Sequence, residues 1–501
     1  MPHGFLSPAV LLFQPFLLLL LIVKLVLSKR SSVRLPPSPW KLPFIGNLHQ
    51  LGLLPHQSLD KLSKKHGPLM LLKLGQVPTL VVSSSQMAKE ILKTHDLIFA
   101  NRPFLRGADL LLYGCMDMGF APYGEYWRQM RKICMANLLS MRRVQSFQTA
   151  RDEEVAHLMD KIIQASSHPS EAMNMSQILN CFSNEVLCRA ILGKFSKEGR
   201  YKILFEMSEE HNLLLGGFYL EDYFPSLRWL SSLLESNERA ESNFIKWDYV
   251  LSQMIEEHTN RNEDKPNDDH DFVDILLSHQ KDTNADISLT NRNIKALLKD
   301  MFVAGIDTTS IVLEWSMAEL IKNQHVLKKV QDEVRQKAHG KRIVEMDDLN
   351  EMNYLKSIIK EVLRLHPPVP LLLPRESVEN CQIEGYEISK KTRVLINYWS
   401  IARDSNVWEK PTDFLPERFL DTLINFRGQD YEFIPFGSGR RICPGMQFAI
   451  STIELALANL IYQFDWALPE GMGTEEIDLT EAPGLTMRMK KQLYLVPKPC
   501  F

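Results

Sequence analysis

The chain has no excess charge of either sign and no closely paired cysteines. Its 501 residues include 58 Lys or Arg and 61 Asp or Glu, which gives a formal net charge of −3. Nucleic-acid-binding proteins usually carry a basic excess, so nucleic acid is not an expected partner. The seven cysteines are scattered without a Cys-x-x-Cys pair, which argues against a disulfide framework and a zinc ribbon. This pattern indicates a reducing compartment.

The chain also lacks internal repeats and long glycine- or proline-rich spacers after residue 45. It has no Gly-x-Gly-x-x-Gly fingerprint of a dinucleotide-binding fold, so a built-in nicotinamide or flavin module is not expected. Hydrophobic residues make up 45% of the chain and charged residues 24%, enough for a large core and a solvated surface. These features predict one folded body over residues 46–501.

A long apolar run lies near the N-terminus, at residues 9–28. At about 1.5 Å of rise per residue, a helix of this length spans a bilayer core of roughly 30 Å. No Lys or Arg precedes the run, whereas Lys29, Arg30 and Arg34 follow it without a small-residue cleavage site, which favours an anchor over a cleaved signal peptide. We therefore predict a membrane anchor at residues 1–30, with the body on the cytosolic side.

The segment 31–45 is rich in proline, with Pro36, Pro37, Pro39 and Pro43. Proline fixes φ, removes a backbone donor and disfavours helix. The segment is predicted to be a stiff, extended hinge between anchor and body, although an ordinary linker explains its composition equally well.

From about residue 57 onward the apolar residues recur mainly with the helical period, as in 293–320 and 348–365. Short strand-like runs, such as 79–82 and 393–396, are a minority. The predicted fold class is therefore mainly α with small β-sheets.

The motif that indicates chemistry most strongly is residues 435–445, followed by a helical pattern from Met446. It places Cys443 at a helix start, where free N–H groups and the helix dipole are expected to lower the pKa of the thiol. A thiolate is the form that binds a metal, whereas a lone cysteine is usually a small buried apolar residue. The glycines of the loop let its backbone approach a flat cofactor, Phe436 can cover the sulfur side, and Arg441 can pair with an acidic substituent.

This motif resembles the heme-binding signature of the cytochrome P-450 family, Phe-x-x-Gly-x-Arg-x-Cys-x-Gly. The resemblance implies the P-450 fold, with heme b (iron protoporphyrin IX) ligated by a cysteine thiolate. It also implies O2 as co-substrate and NADPH electrons delivered by a separate NADPH-dependent cytochrome reductase. The fixed positions of the signature are all matched, by Phe436, Gly439, Arg441, Cys443 and Gly445.

A second family motif is Ala-Gly-Ile-Asp-Thr-Thr at residues 304–309, within a helical pattern that puts Ala304 and Thr308 on one face. The resemblance implies that this helix crosses the distal face of the heme. Gly305 is then expected to leave room for oxygen, while the Thr308 hydroxyl and the Asp307 carboxylate guide protons to it. The structural alternative is a threonine bonded back to the carbonyl four residues earlier.

Two further groups of charged residues follow the family's order. Glu361 and Arg364, taken alone, read as a surface ion pair worth about 0.5 kcal/mol or less. With Arg418 of the Pro-Glu-Arg-Phe motif they resemble the family's charge triad, a structural lock that supports the heme loop. The second group comprises Trp127 and Arg131, which match the heme-propionate helix, together with Arg375 and Arg441.

Arginine suits buried propionates because its planar fork bonds bidentately and stays charged. The three arginines of that second group would supply three cations for two carboxylates. Taken singly, each of them is equally consistent with a solvated surface charge.

Within the family, the chain resembles plant A-type members that make specialised metabolites. The implied activity is insertion of one oxygen atom from O2 into a lipophilic substrate, which is a terpenoid, a phenolic or coumarin, or an alkaloid. Two alternatives stay open: a heme-thiolate isomerase or dehydratase on the same fold, and a non-catalytic heme-binding carrier.

The expected location is the endoplasmic reticulum membrane, in a single pass with the catalytic body facing the cytosol. Arg128, Lys132 and Arg440 are expected on the thiolate side, where they could face an acidic reductase. The family's recognition regions suggest an apolar substrate pocket lined by residues 104–120, Met301, Val303, Ala304, Val369, Leu371, Leu372, Gly484 and Leu485.

Overall fold

The computed structural model describes residues 34–166, 172–193, 200–233, 235–260, 271–282 and 288–500. Within them most regular structure is helical, as predicted. The α-helices are α1 (Pro55–His66), α2 (Ser85–Lys89), α3 (Arg106–Leu111), α4 (Glu125–Cys134), α5 (Met141–Ser146), α6 (Gln148–Ala165), α7 (Met175–Leu192), α8 (Arg200–Leu215), α9 (Glu235–Thr259), α10 (Phe272–Lys281), α11 (Asn291–Lys322), α12 (Gln324–Lys337), α13 (Asn353–Leu365), α14 (Tyr398–Ile401) and α15 (Met446–Gln463). The strands are β1 (Leu69–Leu74), β2 (Val77–Val82), β3 (Met173–Asn174), β4 (Arg375–Glu376), β5 (Cys381–Ile383), β6 (Tyr386–Ile388), β7 (Arg393–Ile396), β8 (Phe464–Ala467) and β9 (Tyr494–Pro499).

The predicted anchor at residues 1–30 lies outside the described residues. Among the described helices, none has both the length and the apolar character needed to cross a membrane. The described part of the predicted hinge begins at Arg34 and contains no helix. It is bonded to the body, because the Pro37 carbonyl accepts from the Leu71 amide at 2.9 Å and the Arg34 carbonyl accepts from the Glu387 amide at 2.9 Å.

The largest sheet of the described residues has the strand order β1-β2-β7-β4. Its two predicted strands meet at the centre, where β2 and β7 pair in parallel with Val82 opposite Ile396. Strands β3, β9 and β8 form a second sheet, and β5 pairs with β6. Arg375, one of the predicted heme contacts, is the first residue of the edge strand β4 and lies opposite Val394 of β7.

Helix α11 runs through the centre of the body and contacts α7, α8, α13 and α15. Its start is fixed by a capping box, in which the Thr290 hydroxyl accepts from the Asn293 amide and the Asn293 side chain accepts from the Thr290 amide. Its buried residues point in all directions around the axis, as expected for a helix enclosed by others. This central position lets one helix face reach an internal cavity.

The helix that follows the cysteine motif is α15, which begins at Met446 as predicted. Ile450, Ile453, Leu457 and Leu460 are all buried on it. The predicted helix at 348–365 begins later, at Asn353, because residues 348–351 form a separate 3-10 turn. The seven cysteines, which all lie in the described residues, form no disulfide.

Candidate functional site

The candidate site is an internal cavity of about 290 Å³ between α11 and the loop before α15. Its walls are mainly apolar, with a few polar groups that converge on it. The cavity brings together segments that lie far apart in the sequence, from α4 to the turn at residues 485–486. Ten of the predicted site residues line it: Trp127, Arg131, Ala304, Gly305, Thr308, Arg375, Phe436, Arg441, Cys443 and Gly445.

The loop that carries Cys443 is closed by its own backbone. The Cys443 amide donates to the Phe436 carbonyl at 2.9 Å, and the Phe436 ring packs edge-on against Phe426. Backbone N–H groups of Gly445 and Met446, at the start of α15, bond the sulfur, and the Arg131 charge lies nearby. These groups favour a thiolate, as predicted from the helix start.

Burial nevertheless outweighs those favourable contacts, and the pKa of Cys443 lies above its usual value. The helix start therefore lowers this pKa as predicted, but burial has the larger effect among the protein groups. A metal cation at the sulfur would reverse the balance, because a coordinating thiol is deprotonated outright. The site is thus suited to a thiolate ligand only together with its metal.

The glycines of the loop have different roles. Gly437 and Gly445 border the cavity, which agrees with close approach of a flat group. Gly439, with φ of +69°, faces the other way: a Cβ there would lie 2.5 Å from the Leu92 carbonyl oxygen and 2.6 Å from Asp96 Oδ1. The predicted cofactor contact of Gly439 is therefore corrected to close backbone packing.

Three predicted arginines surround one side of the cavity, and each is held by backbone carbonyls. Arg131 Nη2 donates to the Ile442 carbonyl at 2.8 Å, and Arg375 Nη2 donates to the Ser438 carbonyl at 3.0 Å. Arg441 donates to the carbonyls of Ala100 and Ala121 at 2.9 and 2.6 Å. These bonds orient the guanidinium groups but supply no negative charge. Of the three, Arg375 also has a carboxylate partner, Asp96 Oδ1 at 3.7 Å.

A fourth arginine, Arg102, also lines the cavity and was not predicted from the sequence. It donates to the carbonyls of Gly119, Leu373 and Pro374. Burial, and then the charges of Arg441 and Arg375, hold its pKa well below the usual value. No motif marks Arg102, because its importance comes from the convergence of distant segments.

The charges of this arginine cluster are suited to binding an anion. Burial first, and then the charge of Arg375, lower the pKa of Arg441 to about 9, while burial lowers that of Arg375 to about 10. Two carboxyls lie close by, the buried Asp117 and the half-buried Asp300. Burial raises the pKa of Asp117 to about 6, and burial with the Asp117 charge raises that of Asp300 to about 8, so Asp300 is the poorer counterion.

A cofactor with two carboxylates would compensate the cluster of Arg102, Arg131, Arg375 and Arg441, since buried charges are stable only when paired. The thiol, the loop glycines and these cations therefore fit heme, whose two propionates are such carboxylates. The cluster also shows that the predicted arginines are buried groups, so the alternative of solvated surface charges does not hold for Arg375 and Arg441.

One face of α11 forms part of the cavity wall. Ala304, Gly305 and Thr308 all border the cavity, as predicted. The Thr308 hydroxyl donates to the Ala304 carbonyl at 2.8 Å, so the structural alternative of back-bonding is also present. A Cβ on Gly305 would lie 2.8 Å from Leu187 Cδ2, which shows that this glycine admits a side chain of α7.

Asp307 is buried on the other side of α11 and does not border the cavity. Its carboxylate accepts from Asn212 Nδ2 at 2.7 Å, from Thr486 Oγ1 at 3.1 Å and from the Arg488 guanidinium. Burial raises its pKa despite the opposing charge of Arg488. Asn212 and Thr486 do line the cavity, so any link from Asp307 to that space passes through them.

The charge triad assembles as predicted, although as a buried group. Arg364 donates twice to Glu361 at 2.8 Å, and Arg418 Nε lies 3.0 Å from Glu361 Oε1. Arg364 also donates to the carbonyls of Ala402 and Pro411, and Glu361 accepts from a backbone amide. The pair of Glu361 and Arg364 is fully buried and satisfied, which fits a structural lock rather than a surface ion pair.

The predicted substrate pocket is correct in part. Leu112, Met118, Phe120, Met301, Val303, Val369, Leu372 and Leu485 line the cavity, whereas Leu371 packs beneath the largest sheet and Gly484 is not in the wall. Residues of α7 and α8 were missed, because their apolar spacing is the same as that of any core helix. The unpredicted lining residues include Leu187, His211, Asn212, Leu215, Thr309, Val312 and Thr486.

Comparisons with a family model and with curated relatives point to the same protein family. The sequence model described as Cytochrome P-450 matches residues 36–496. A curated relative, cytochrome P-450 71A9 of Glycine max, is 50% identical over 499 residues, covering 98% of this chain and 99% of the relative. Strychnine-11-hydroxylase of Strychnos nux-vomica is 48% identical, covering 96% of this chain and 94% of the relative.

Two further comparisons agree. Phenylacetaldehyde oxime monooxygenase of Prunus mume is 46% identical and covers 94% of this chain and 90% of its own length. A zebrafish cytochrome P-450 solved with progesterone shares the fold, with a TM-score of 0.78 at 24% identity over 89% of this chain and 100% of the solved chain. The chain belongs to the cytochrome P-450 family, among its plant A-type members, and is an oxidoreductase that incorporates oxygen from O2.

Proposed function

We propose that the chain inserts one atom of O2 into a lipophilic plant specialised metabolite, using NADPH electrons from a separate reductase. The observation that supports this most is the convergence of Cys443, the arginine cluster and Thr308 on one largely apolar cavity. An apolar pocket with a few converging polar groups is typical of small-molecule sites. The described residues and the rest of the sequence carry no flavin or nicotinamide motif, which is why an external electron donor is part of the proposal.

In this proposal some residues hold the cofactor and others form the apolar wall of the cavity. When bound, heme supplies the redox centre at which oxygen is activated. Cys443 would ligate its iron, and the four cavity arginines would hold its carboxylates. Leu187, Val312 and Ile453 are apolar wall residues that limit the access of water, which protects the reaction from unproductive proton leakage.

Thr308 is the proposed proton donor on the cavity side of α11. Its hydroxyl already has one acceptor, the Ala304 carbonyl, and rotation about the Cβ–Oγ1 bond would turn its proton toward the cavity. Asp307 acts through Asn212 and Thr486 in this proposal, because its own carboxylate is enclosed by them and by Arg488. It is therefore a positioning residue.

The choice among terpenoid, phenolic or coumarin, and alkaloid substrates is open at this level. The names of the relatives refer to different molecules, strychnine for one and phenylacetaldehyde oxime for another. Their common element is the oxidation of a small molecule, and the mainly apolar wall of the cavity supports a lipophilic one.

Attachment to the endoplasmic reticulum membrane is part of the proposal and is supported by exposed apolar residues. The Gly75 amide donates to the Ile45 carbonyl, and the adjacent Gln76 amide donates to the Tyr223 carbonyl, so the N-terminal segment and the α8–α9 connection lie side by side. Together they expose what we call the apolar surface: Trp40, Phe44, Leu53, Phe218 and Trp229. Such a patch is typical of a membrane or protein contact.

The test is turnover of the full-length holoprotein with a plant NADPH-dependent reductase under ¹⁸O2, using a panel of terpenoids, coumarins, other phenolics and alkaloids. We expect at least one compound to accelerate NADPH oxidation and to gain one ¹⁸O atom. A product formed without ¹⁸O and without NADPH would indicate the isomerase or dehydratase alternative. Heme binding with no accelerated NADPH oxidation across the panel would indicate a carrier.

A further inference from the structure

A buried histidine in the cavity wall lacks a full set of hydrogen-bond partners. His211, on α8, borders the cavity, and its side chain is 0% exposed. Neither Nδ1 nor Nε2 makes a hydrogen bond of good geometry, although the Asn243 side chain lies close enough to interact with the ring. Buried polar groups are normally paired, and leaving one unpaired costs on the order of 1–3 kcal/mol. A ligand of the cavity is therefore a candidate for the missing partner.

The surroundings of His211 keep its imidazole neutral. Burial, and then the charge of Lys299, hold the pKa of His211 well below its usual value. Lys299 is itself fully buried, donates to the Leu111 carbonyl at 2.7 Å and lies 5.5 Å from the Trp247 ring centre. The His211 ring stands edge-on to the same Trp247 at 6.5 Å. A neutral imidazole has one N–H donor and one nitrogen acceptor.

An internal partner can satisfy only half of this histidine. Asn243 lies beside the ring, and its Nδ2 donates to the Met207 carbonyl at 3.1 Å while its Oδ1 is unpaired. A small rotation would let the imidazole N–H donate to that oxygen. The other ring nitrogen would then remain as an acceptor, and what it lacks is a donor.

We propose that His211 is the polar anchor of the substrate site, where its free ring nitrogen accepts a hydrogen bond from a hydroxyl group of an otherwise apolar substrate. This inference rests on the proposed function and narrows its substrate class to neutral, hydroxylated lipophiles such as terpenoid alcohols or phenols. His211 is a specificity-determining residue, distinct from the groups that hold the cofactor.

The charges near the anchor argue against a protonated amine as the preferred ligand. Lys299 lies close to His211 and would repel an ammonium group whenever it is protonated, although burial lowers the pKa of Lys299 to about 7. Asp300 is a cavity-lining carboxyl, yet burial and the Asp117 charge raise its pKa, which weakens it as a counterion for such a group. A neutral hydroxyl meets neither penalty.

The experiment compares matched pairs of probes that differ by one hydroxyl: α-terpineol and p-menth-1-ene, 7-hydroxycoumarin and coumarin, and 1-naphthol and naphthalene. Dissociation constants are measured from the substrate-induced Soret shift of the full-length holoprotein. We expect at least one hydroxylated member to bind about tenfold more tightly than its partner. His211→Phe is expected to remove that difference while leaving the affinity for the unhydroxylated member within about twofold.

Two further variants separate this role from a structural one. Leu215 lies one turn from His211 on α8 and also lines the cavity, so Leu215→Val is expected to change the affinity for both members of a pair equally. His211→Gln, which keeps an acceptor, is expected to restore part of the preference for the hydroxyl. The reduced carbon monoxide spectrum of each variant reports that heme binding is intact.

The proposal is overturned if the wild-type protein binds both members of every pair equally, or if His211→Phe weakens both members alike. A shift in melting temperature with the hydroxyl preference retained would likewise assign His211 to internal packing with Asn243. Because the Soret shift needs neither NADPH nor turnover, failure of this inference is separable from failure of the proposed monooxygenase activity.

Discussion

Thr308 has one observed contact and one proposed role, proton delivery, and a single substitution can separate them. Its hydroxyl bonds the Ala304 carbonyl and also borders the cavity. If it delivers protons, Thr308→Ala should keep the heme but lower the product formed per NADPH several-fold, with the lost electrons recovered as peroxide. Thr308→Ser retains the hydroxyl and should stay near the wild-type ratio. Equal coupling in the alanine variant would leave Thr308 with only the back-bonding role.

Individual residues were predictable where a motif marks them and not where distant segments meet. Cys443 and Arg441 stand in one continuous signature, and both reach the cavity. Arg102 and His211 have no such context, and they become notable only because folding buries them beside other charges. Asp307 shows the reverse case, since the motif gives its position but the enclosing side chains decide which way it faces.

Gly305 lies where α7 packs against α11 beside the cavity. Its substitution tests whether the glycine makes room for the Leu187 side chain. In Gly305→Ala the new Cβ would meet Leu187 Cδ2 at 2.8 Å, and Leu187 can relieve this by swinging into the cavity. The gain in helix propensity, about 1 kcal/mol, offsets part of an overpacking cost of about 1–3 kcal/mol. We therefore expect a small change in melting temperature but a smaller cavity.

Two heme ligands of different size measure that change in the holoprotein. The affinity for 4-phenylimidazole should fall several-fold in Gly305→Ala, whereas that for imidazole should hold. Adding Leu187→Ala should restore the larger ligand's affinity. If both affinities are unchanged and only coupling falls, Gly305 instead makes room for oxygen, as the sequence analysis expected.

Helices and strands were predictable from their apolar periods, but their partners were not. The pattern at 293–320 gives α11 to within a few residues, yet it does not show that α7 crosses it at Gly305. The strands at 79–82 and 393–396 were also identified, while their parallel pairing joins segments more than 300 residues apart. Periodicity reports which face is buried and not what buries it.

For the whole molecule, the apolar surface predicts behaviour at a membrane. A protein shortened to begin at Ser31 should lose the predicted anchor, keep its heme and still sediment in part with vesicles. Phe44→Ser with Trp229→Ser should reduce that residual binding several-fold. Leu423→Ser is the matched control, because Leu423 is 95% exposed but lies in a different segment. Complete release of the shortened protein, with or without these changes, would count against the surface.

The reductase contact is a second property of the whole molecule. Arg128 is engaged by Glu125 at 2.5 Å and Arg440 by Asp96 at 3.2 Å, whereas Lys132 is exposed on the same helix as the heme-contact residues. Lys132→Glu should slow the first electron transfer several-fold without altering the carbon monoxide spectrum. High salt should do the same, since the screening length falls from about 10 Å at 0.1 M to 3 Å at 1 M.

Lys65→Glu, on α1 beside the largest sheet, is the charge-matched control and should leave the rate unchanged. A first-electron rate that responds neither to salt nor to Lys132→Glu would move the docking site elsewhere.

Ligation of heme iron by Cys443 is tested most directly by the carbon monoxide spectrum of the reduced protein. A cysteine thiolate opposite carbon monoxide gives a long-wavelength Soret band. The wild-type protein and Cys134→Ala, which removes another buried thiol, should both show it. Cys443→Ala should lack the band, with heme content measured separately. A Cys443→Ala protein that retained the band would contradict the account, because another cysteine would then have to be the ligand.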